Sequence, residues 1–139
     1  MGSMYETFDH TADLGLRIRA SDLNALFAEA GRALFAVIVE ELDTVQPRQE
    51  LRIEIAGDER EFLFFDWLKE LLYHFDVQHV LFSSFEVQVG DAGLNALARG
   101  EPLDLDRHRL LHEVKAITYH GLTLEQTDEG WLAEVIVDI

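Results

Sequence analysis

Residues 113–121 read Glu113-Val114-Lys115-Ala116-Ile117-Thr118-Tyr119-His120-Gly121, and residues 131–139 read Trp131-Leu132-Ala133-Glu134-Val135-Ile136-Val137-Asp138-Ile139. The first run is a strand pattern crowded with groups that donate, accept or carry charge. The second alternates at period two, with Trp131, Ala133, Val135 and Val137 on one face and Leu132, Glu134, Ile136 and Asp138 on the other. Thr127, Asp128, Glu129 and Gly130 separate them as a turn, so the stretch from Leu111 to Ile139 is expected to hold two or three adjoining strands. At its end the Asp138 side chain and a terminal carboxylate lie within a residue of each other, like charges that repel unless something cationic neutralises them. A solvated chain end accounts for the same residues.

Working outward, Tyr5 to Phe8 and Leu14 to Ala20 read as strands, the second with Leu14, Leu16, Ile18 and Ala20 at period two. His10, Thr11, Ala12 and Asp13 fall at their junction, where side chains are presented, although a plain turn would also use Thr and Asp there. Ser21 or Asp22 is placed to cap a helix in which Leu23, Leu26, Phe27, Ala30, Leu34, Val37 and Ile38 recur at helical spacing. Gly31 inside that helix costs about 1 kcal/mol relative to Ala and points to close packing. Leu51, Ile53 and Ile55 alternate with Arg52 and Glu54 as a further strand.

Asp58 and Glu61 have capping-box spacing ahead of a second helix. On its wheel Asp66, Lys69, Glu70, Tyr73 and His74 form the polar side, opposite Phe64, Phe65, Trp67, Leu68, Leu71, Leu72 and Phe75. Such a wide apolar arc predicts the central core helix, with Trp67 in the core. Phe85, Val87 and Val89 make another strand. Leu94, Ala96 and Ala98 alternate like a strand, while the Ala and Leu content favours a helix. Gly100, Glu101 and Pro102 read as a turn, and Asp104 to Arg109 as a loop. The fold class that follows is α+β, with mixed, largely antiparallel sheets packed against two main helices.

The 139 residues suffice for one domain with a substantial core. Residues 1–3 read as a cloning scar before Met4, and 4–139 as the domain. No cysteine is present, which removes disulfides, thiolate metal sites and thiol nucleophiles. No signal pattern and no run long enough to cross a bilayer occurs, so the expected setting is the cytoplasm, with no membrane partner. Lys and Arg number 11 against 27 Asp and Glu, a formal charge of −16 that repels phosphate backbones. Tight direct nucleic-acid binding is therefore not expected, and a cationic partner, either a metal ion or a basic protein surface, is.

Phosphate loops, HExxH helices and GxSxG elbows are all missing from the sequence. His10, His74, His79, His108, His112 and His120 form no pair with zinc-ligand spacing. What remains is oxygen chemistry: if Asp13 and Asp138 converge, the guest is a hard cation such as Ca²⁺ or Mg²⁺. A second reading is a metal-dependent hydrolase with His10 or His120 as general base and Lys115 stabilising negative charge, but no nucleophile is recognisable. Lys115 paired with Glu113 or another acid explains that lysine equally well.

The chain nevertheless resembles the archease family over its whole length from Met4. The likeness is carried by HTAD at His10–Asp13, FDWLKELLY at Phe65–Tyr73, GEPLD at Gly100–Asp104, EVKAITYHG at Glu113–Gly121 and the terminal VDI. Lys69 departs from the family pattern, which commonly has Asn after the DWL triplet. The resemblance implies an accessory protein, itself no enzyme. Its partner would be the GTP-dependent RNA ligase that joins 2′,3′-cyclic phosphate or 3′-phosphate ends to 5′-hydroxyl ends in tRNA splicing and RNA repair. The accessory protein would promote ligase guanylylation and repeated turnover. A role as chaperone of a tRNA modification enzyme, a methyltransferase, is the alternative. The resemblance also implies a divalent metal, Ca²⁺ first and Mg²⁺ or Mn²⁺ after it, on Asp13, Asp138 and Ile139, with His10, Lys115 and His120 as candidate partner contacts.

Overall fold

The computed structural model describes residues 2–10 and 13–139, with His10 described through its backbone alone. Thr11 and Ala12 of the HTAD tetrad lie outside the described residues. In chain order the elements are β1 (Met4–His10), β2 (Asp13–Ala20), α1 (Leu23–Ile38), a short 3₁₀ turn (Leu42–Thr44), β3 (Gln49–Ala56), α2 (Arg60–Gln78), β4 (Val80–Gly90), β5 (Gly93–Pro102), β6 (Ala116–Thr127) and β7 (Gly130–Asp138).

The strands form two sheets, one ordered β1-β2-β7-β6 and the other β3-β5-β4. Every pairing between these strands is antiparallel, which narrows the expected mixed arrangement to a purely antiparallel one. The α+β architecture with two main helices is as the periodicity predicts. The period-two face of β7 is buried as expected, with Ala133, Val135 and Val137 inaccessible to water.

Asp22 caps α1, its Oδ1 accepting the Ala25 N–H at 2.8 Å. This helix packs on β4 and β2 together and so joins the two sheets, while α2 packs on β6. Gly31 sits where α1 crosses β4: a Cβ there would come within 2.8 Å of the Phe85 ring, the close approach expected from its place in the helix. Trp67 is fully buried on α2, its indole N–H donating to the Phe27 carbonyl at 2.8 Å and its ring edge-on to Phe85. A buried indole needs such an acceptor, and the main chain of α1 supplies it.

Three local expectations are corrected. The Asp58/Glu61 capping box does not form: α2 follows Glu59 as N-cap, no side chain caps it, and this exposed end leaves its first N–H groups to water. His74 belongs to the buried face of α2, edge-on to Phe82, with Gln78 and Glu70 within reach of its two ring nitrogens. Gly100, Glu101 and Pro102 are the end of β5, paired with Phe82, Leu81 and Val80. A side chain at residue 100 would collide with the Leu81 carbonyl, so this glycine serves strand contact rather than a turn. The ambiguous Leu94–Ala98 run is strand, because β5 is the central strand of its sheet and tertiary pairing outweighs helix propensity.

Candidate functional site

The four-stranded sheet brings His10, Asp13 and Asp138 to one end. Its last rung runs His10, Asp13, Asp138, Ala116 across β1, β2, β7 and β6. Asp13 and Asp138 are direct partners, and directly opposed residues of an antiparallel pair share a face with Cβ atoms about 5 Å apart. Because the neighbouring Leu14 and Val137 turn toward the core, the two carboxylates occupy the outer face of the sheet.

Arg17, two rungs further along that face, is already committed. Phe8 lies flat over Gly15, where any Cβ would overlap its ring, and the Arg17 guanidinium sits 4.8 Å from the Phe8 centroid. Arg17 bonds Glu134 at 2.5 Å and Glu6 at 3.2 Å, and these two carboxylates, Glu134 foremost, raise its pKa. Among the described residues no ion pair engages Asp13 or Asp138. Two like charges thus face each other with no internal compensation among those residues. Among the described residues the side chains that meet on this rung offer carboxylate oxygens, the donor type hard cations prefer.

The segment 113–121 differs from its sequence reading. The strand begins at Ala116, and Glu113 to Lys115 precede it as irregular chain. The Lys115 N–H donates to the Asp138 carbonyl at 2.7 Å, which sets this exposed lysine beside the acidic rung. No ion pair holds its ammonium among the described residues, so the pairing with Glu113 offered from sequence is not made. Glu113 instead runs near the C-terminal end of α2, where burial first and this like charge second push the Asp76 carboxyl pKa up.

Between Thr118, opposite Ile136, and Thr123, opposite Glu134, β6 carries an excursion of Tyr119 to Leu122. Gly121 takes φ +79°, the left-handed geometry such a bulge needs, with open space around it. His120 stands exposed on that excursion, apart from the Asp13 rung, while Tyr119 stacks on Phe62 and meets Phe65 edge-on. Lys69, the departure from the family pattern, is exposed with its ammonium 5.2 Å from the Phe65 centroid. A cleft of about 560 Å³ lined by Asp58, Arg60, Asp91, Tyr119 and Trp131 lies toward the other end of β7 and includes none of the predicted site residues.

A second polar cluster escaped sequence reasoning. Glu101 is 3 % exposed at the end of β5, where its carboxylate accepts from Arg107, from His108 Nε2 at 3.0 Å and from the Gln46 N–H at 2.8 Å, with Arg48 at 3.9 Å. The Asp104 N–H donates to His108 Nδ1 at 2.9 Å, so that nitrogen bears no proton and Nε2 carries the hydrogen shared with Glu101. Arg107 above all, helped by Gln46 and His108, lowers the Glu101 pKa to about 2 against the opposing effect of burial. The cluster fastens the 103–109 loop to β5. Its only trace in sequence is an acid between Gly100 and Pro102 followed by Arg107 and His108.

A family model described as "Archease protein family (MTH1598/TM1083)" matches residues 5–139. The protein archease of Methanopyrus kandleri is 41% identical, over 97% of this chain and 99% of its own length. That of Pyrococcus furiosus is 36% identical, over 97% and 98%. The solution structure of protein 1598 of Methanobacterium thermoautotrophicum superposes with a TM-score of 0.86 at 36% identity, covering 97% of this chain and 98% of that one. Sequence and fold agree along nearly the whole length, and this chain belongs to the archease family.

Proposed function

We propose that this protein is an accessory factor that activates the GTP-dependent RNA ligase joining 2′,3′-cyclic phosphate or 3′-phosphate ends to 5′-hydroxyl ends, promoting ligase guanylylation and repeated turnover. The observation that carries the reading is the opposed pair Asp13 and Asp138 at one sheet end, uncompensated among the described residues and flanked by the exposed Lys115. A formal charge of −16 suits a partner whose RNA-holding surface is basic better than it suits direct RNA handling.

Asp13, Asp138 and oxygen atoms of Ile139 would hold a divalent ion, Ca²⁺ foremost. Among the described residues no group of three or more His, Asp or Glu converges to hold a metal, so main-chain carbonyls and water would complete the shell. Bound there, the ion supplies positive charge at an otherwise acidic tip. Lys115, just before β6 and beside the rung, and His120, exposed on the β6 excursion further along, are the contacts offered to the partner, with His10 at the neighbouring strand end.

The deciding experiment is multiple-turnover ligation of RNA bearing a cyclic phosphate and a 5′-hydroxyl, with ligase and GTP, in the presence and absence of this protein. Stimulated turnover and guanylylation are expected, with no joining or phosphate release by the protein alone. Saturable binding without stimulation, or turnover without the ligase, would overturn the proposal. Calorimetry with Ca²⁺ and Mg²⁺ on the parent, Asp13→Ala and Asp138→Ala proteins tests the ion separately. Both variants are expected to lose metal binding and stimulation together, and variants that bind and activate like the parent would remove Asp13 and Asp138 from the site.

A further inference from the structure

The three-stranded sheet leaves two edges, and only one of them is closed. Along β4 the Asn24 Oδ1 accepts the Val89 N–H at 2.8 Å and the Arg32 guanidinium donates to the Ser83 carbonyl at 2.6 Å, so α1 occupies backbone groups that another strand would need. At the opposite edge, β3 pairs with β5 alone. The Gly57 N–H donates to the Ala92 carbonyl at 2.9 Å, in the same register that pairs Ala56 with Gly93. Hydrogen-bonded and open pairs alternate along an antiparallel ladder, so Leu51, Ile53 and Ile55 bond inward to β5 while Glu50, Arg52, Glu54 and Ala56 direct their N–H and C=O groups outward. Among the described residues no side chain bonds those outward groups.

The side chains of this edge complement themselves. Glu50 is held by Arg99 at 2.9 Å, whereas Arg52 and Glu54 are exposed and form no ion pair among the described residues. A twofold axis through Ile53 would oppose Arg52 of one copy to Glu54 of the other, twice over. On the core-facing side the same register opposes Leu51 to Ile55, both half-buried where the sheet ends. Shifting the axis to Arg52 would put arginine on arginine and Glu50 on Glu54, and shifting it to Leu51 would bring Arg52 to a carboxylate that Arg99 already holds. Charge and apolar cover therefore select one register.

We infer that β3 is a self-association edge: two copies of this chain pair antiparallel about Ile53, extending the three-stranded sheet into one continuous six-stranded sheet. Sedimentation equilibrium of the full chain in about 0.15 M salt, where long-range repulsion between acidic copies is screened, tests this. The parent is expected to show a concentration-dependent monomer–dimer equilibrium. Arg52→Glu and Glu54→Arg each turn two attractive pairs into repulsive ones and are expected to weaken the dimer by roughly tenfold or more. The double exchange Arg52→Glu/Glu54→Arg rebuilds both pairs with their signs reversed and is expected to restore the parent's affinity. Urea melts at low concentration verify that each variant is folded. A parent that stays monomeric at every concentration overturns the inference, as do single variants that dimerise like the parent or a folded double variant that fails to recover.

Discussion

Two sets of carboxylates stand at different places in this molecule and are treated in opposite ways. Glu101 is buried and enclosed by donors from its own chain: Arg107, His108, the Gln46 N–H and, more distantly, Arg48. Asp13 and Asp138 are half-buried, face one another across a strand pair and receive no compensating ion pair among the described residues. The first arrangement stabilises the fold, since a desolvated charge with full hydrogen bonding favours the native state. The second opposes folding, because like charges opposed on a sheet repel. Internal neutralisation marks Glu101 as a structural acid; Asp13 and Asp138 have no such partner among the described residues.

The comparison can be calibrated and then broken. Trp67→Ala sets the upper scale: it removes a fully buried indole and its bond to Phe27, and a loss of about 3–5 kcal/mol is expected in urea melts. Next comes Glu101→Gln, expected to cost about 2–3 kcal/mol, below the range for a stranded buried ion because Arg107 is 39 % exposed and can turn to water. Its pH dependence has a definite sign. The native pKa of about 2 lies below the ordinary 4.5, so this stabilisation is complete above pH 4.5 and is lost as pH falls through the folded value. Acid melts of the parent should weaken across that window, and those of Glu101→Gln should weaken less. A variant as stable and as acid-sensitive as the parent would deny Glu101 its structural role.

Smaller and of opposite sign is the effect at the rung. In metal-free buffer Asp13→Asn or Asp138→Asn is expected to stabilise the protein by about 0.5 kcal/mol by relieving the repulsion. A clear loss in either melt would show that the pair is compensated internally, and the contrast with Glu101 would fail. Smallest is Glu86→Ala on the exposed face of β4. Arg99 keeps its bond to Glu50 there, so urea melts should not separate the variant from the parent.

Local periodicity sufficed for α1, α2, β2 and β7, for Trp67 in the core and for the close approach at Gly31, because each depends on side chains a few positions apart on one element. The HTAD and VDI residues were legible as candidates from their chemistry and family pattern. The meeting of Asp13 and Asp138 on one rung needed β7 to lie beside β2, a pairing between residues at opposite ends of the chain that no local period encodes. Tertiary structure also decided the burial of Glu101, which reads as a turn acid until β4 and the 103–109 loop close over it. The bulge at Tyr119–Leu122 belongs to the same class, since the extra residues become visible only against the partner strand. Sequence alone determined which residues could bear charge or fill the core; long-range strand pairing decided which charges were neutralised and which were left facing one another, because a carboxylate's energy depends on what the fold sets beside it.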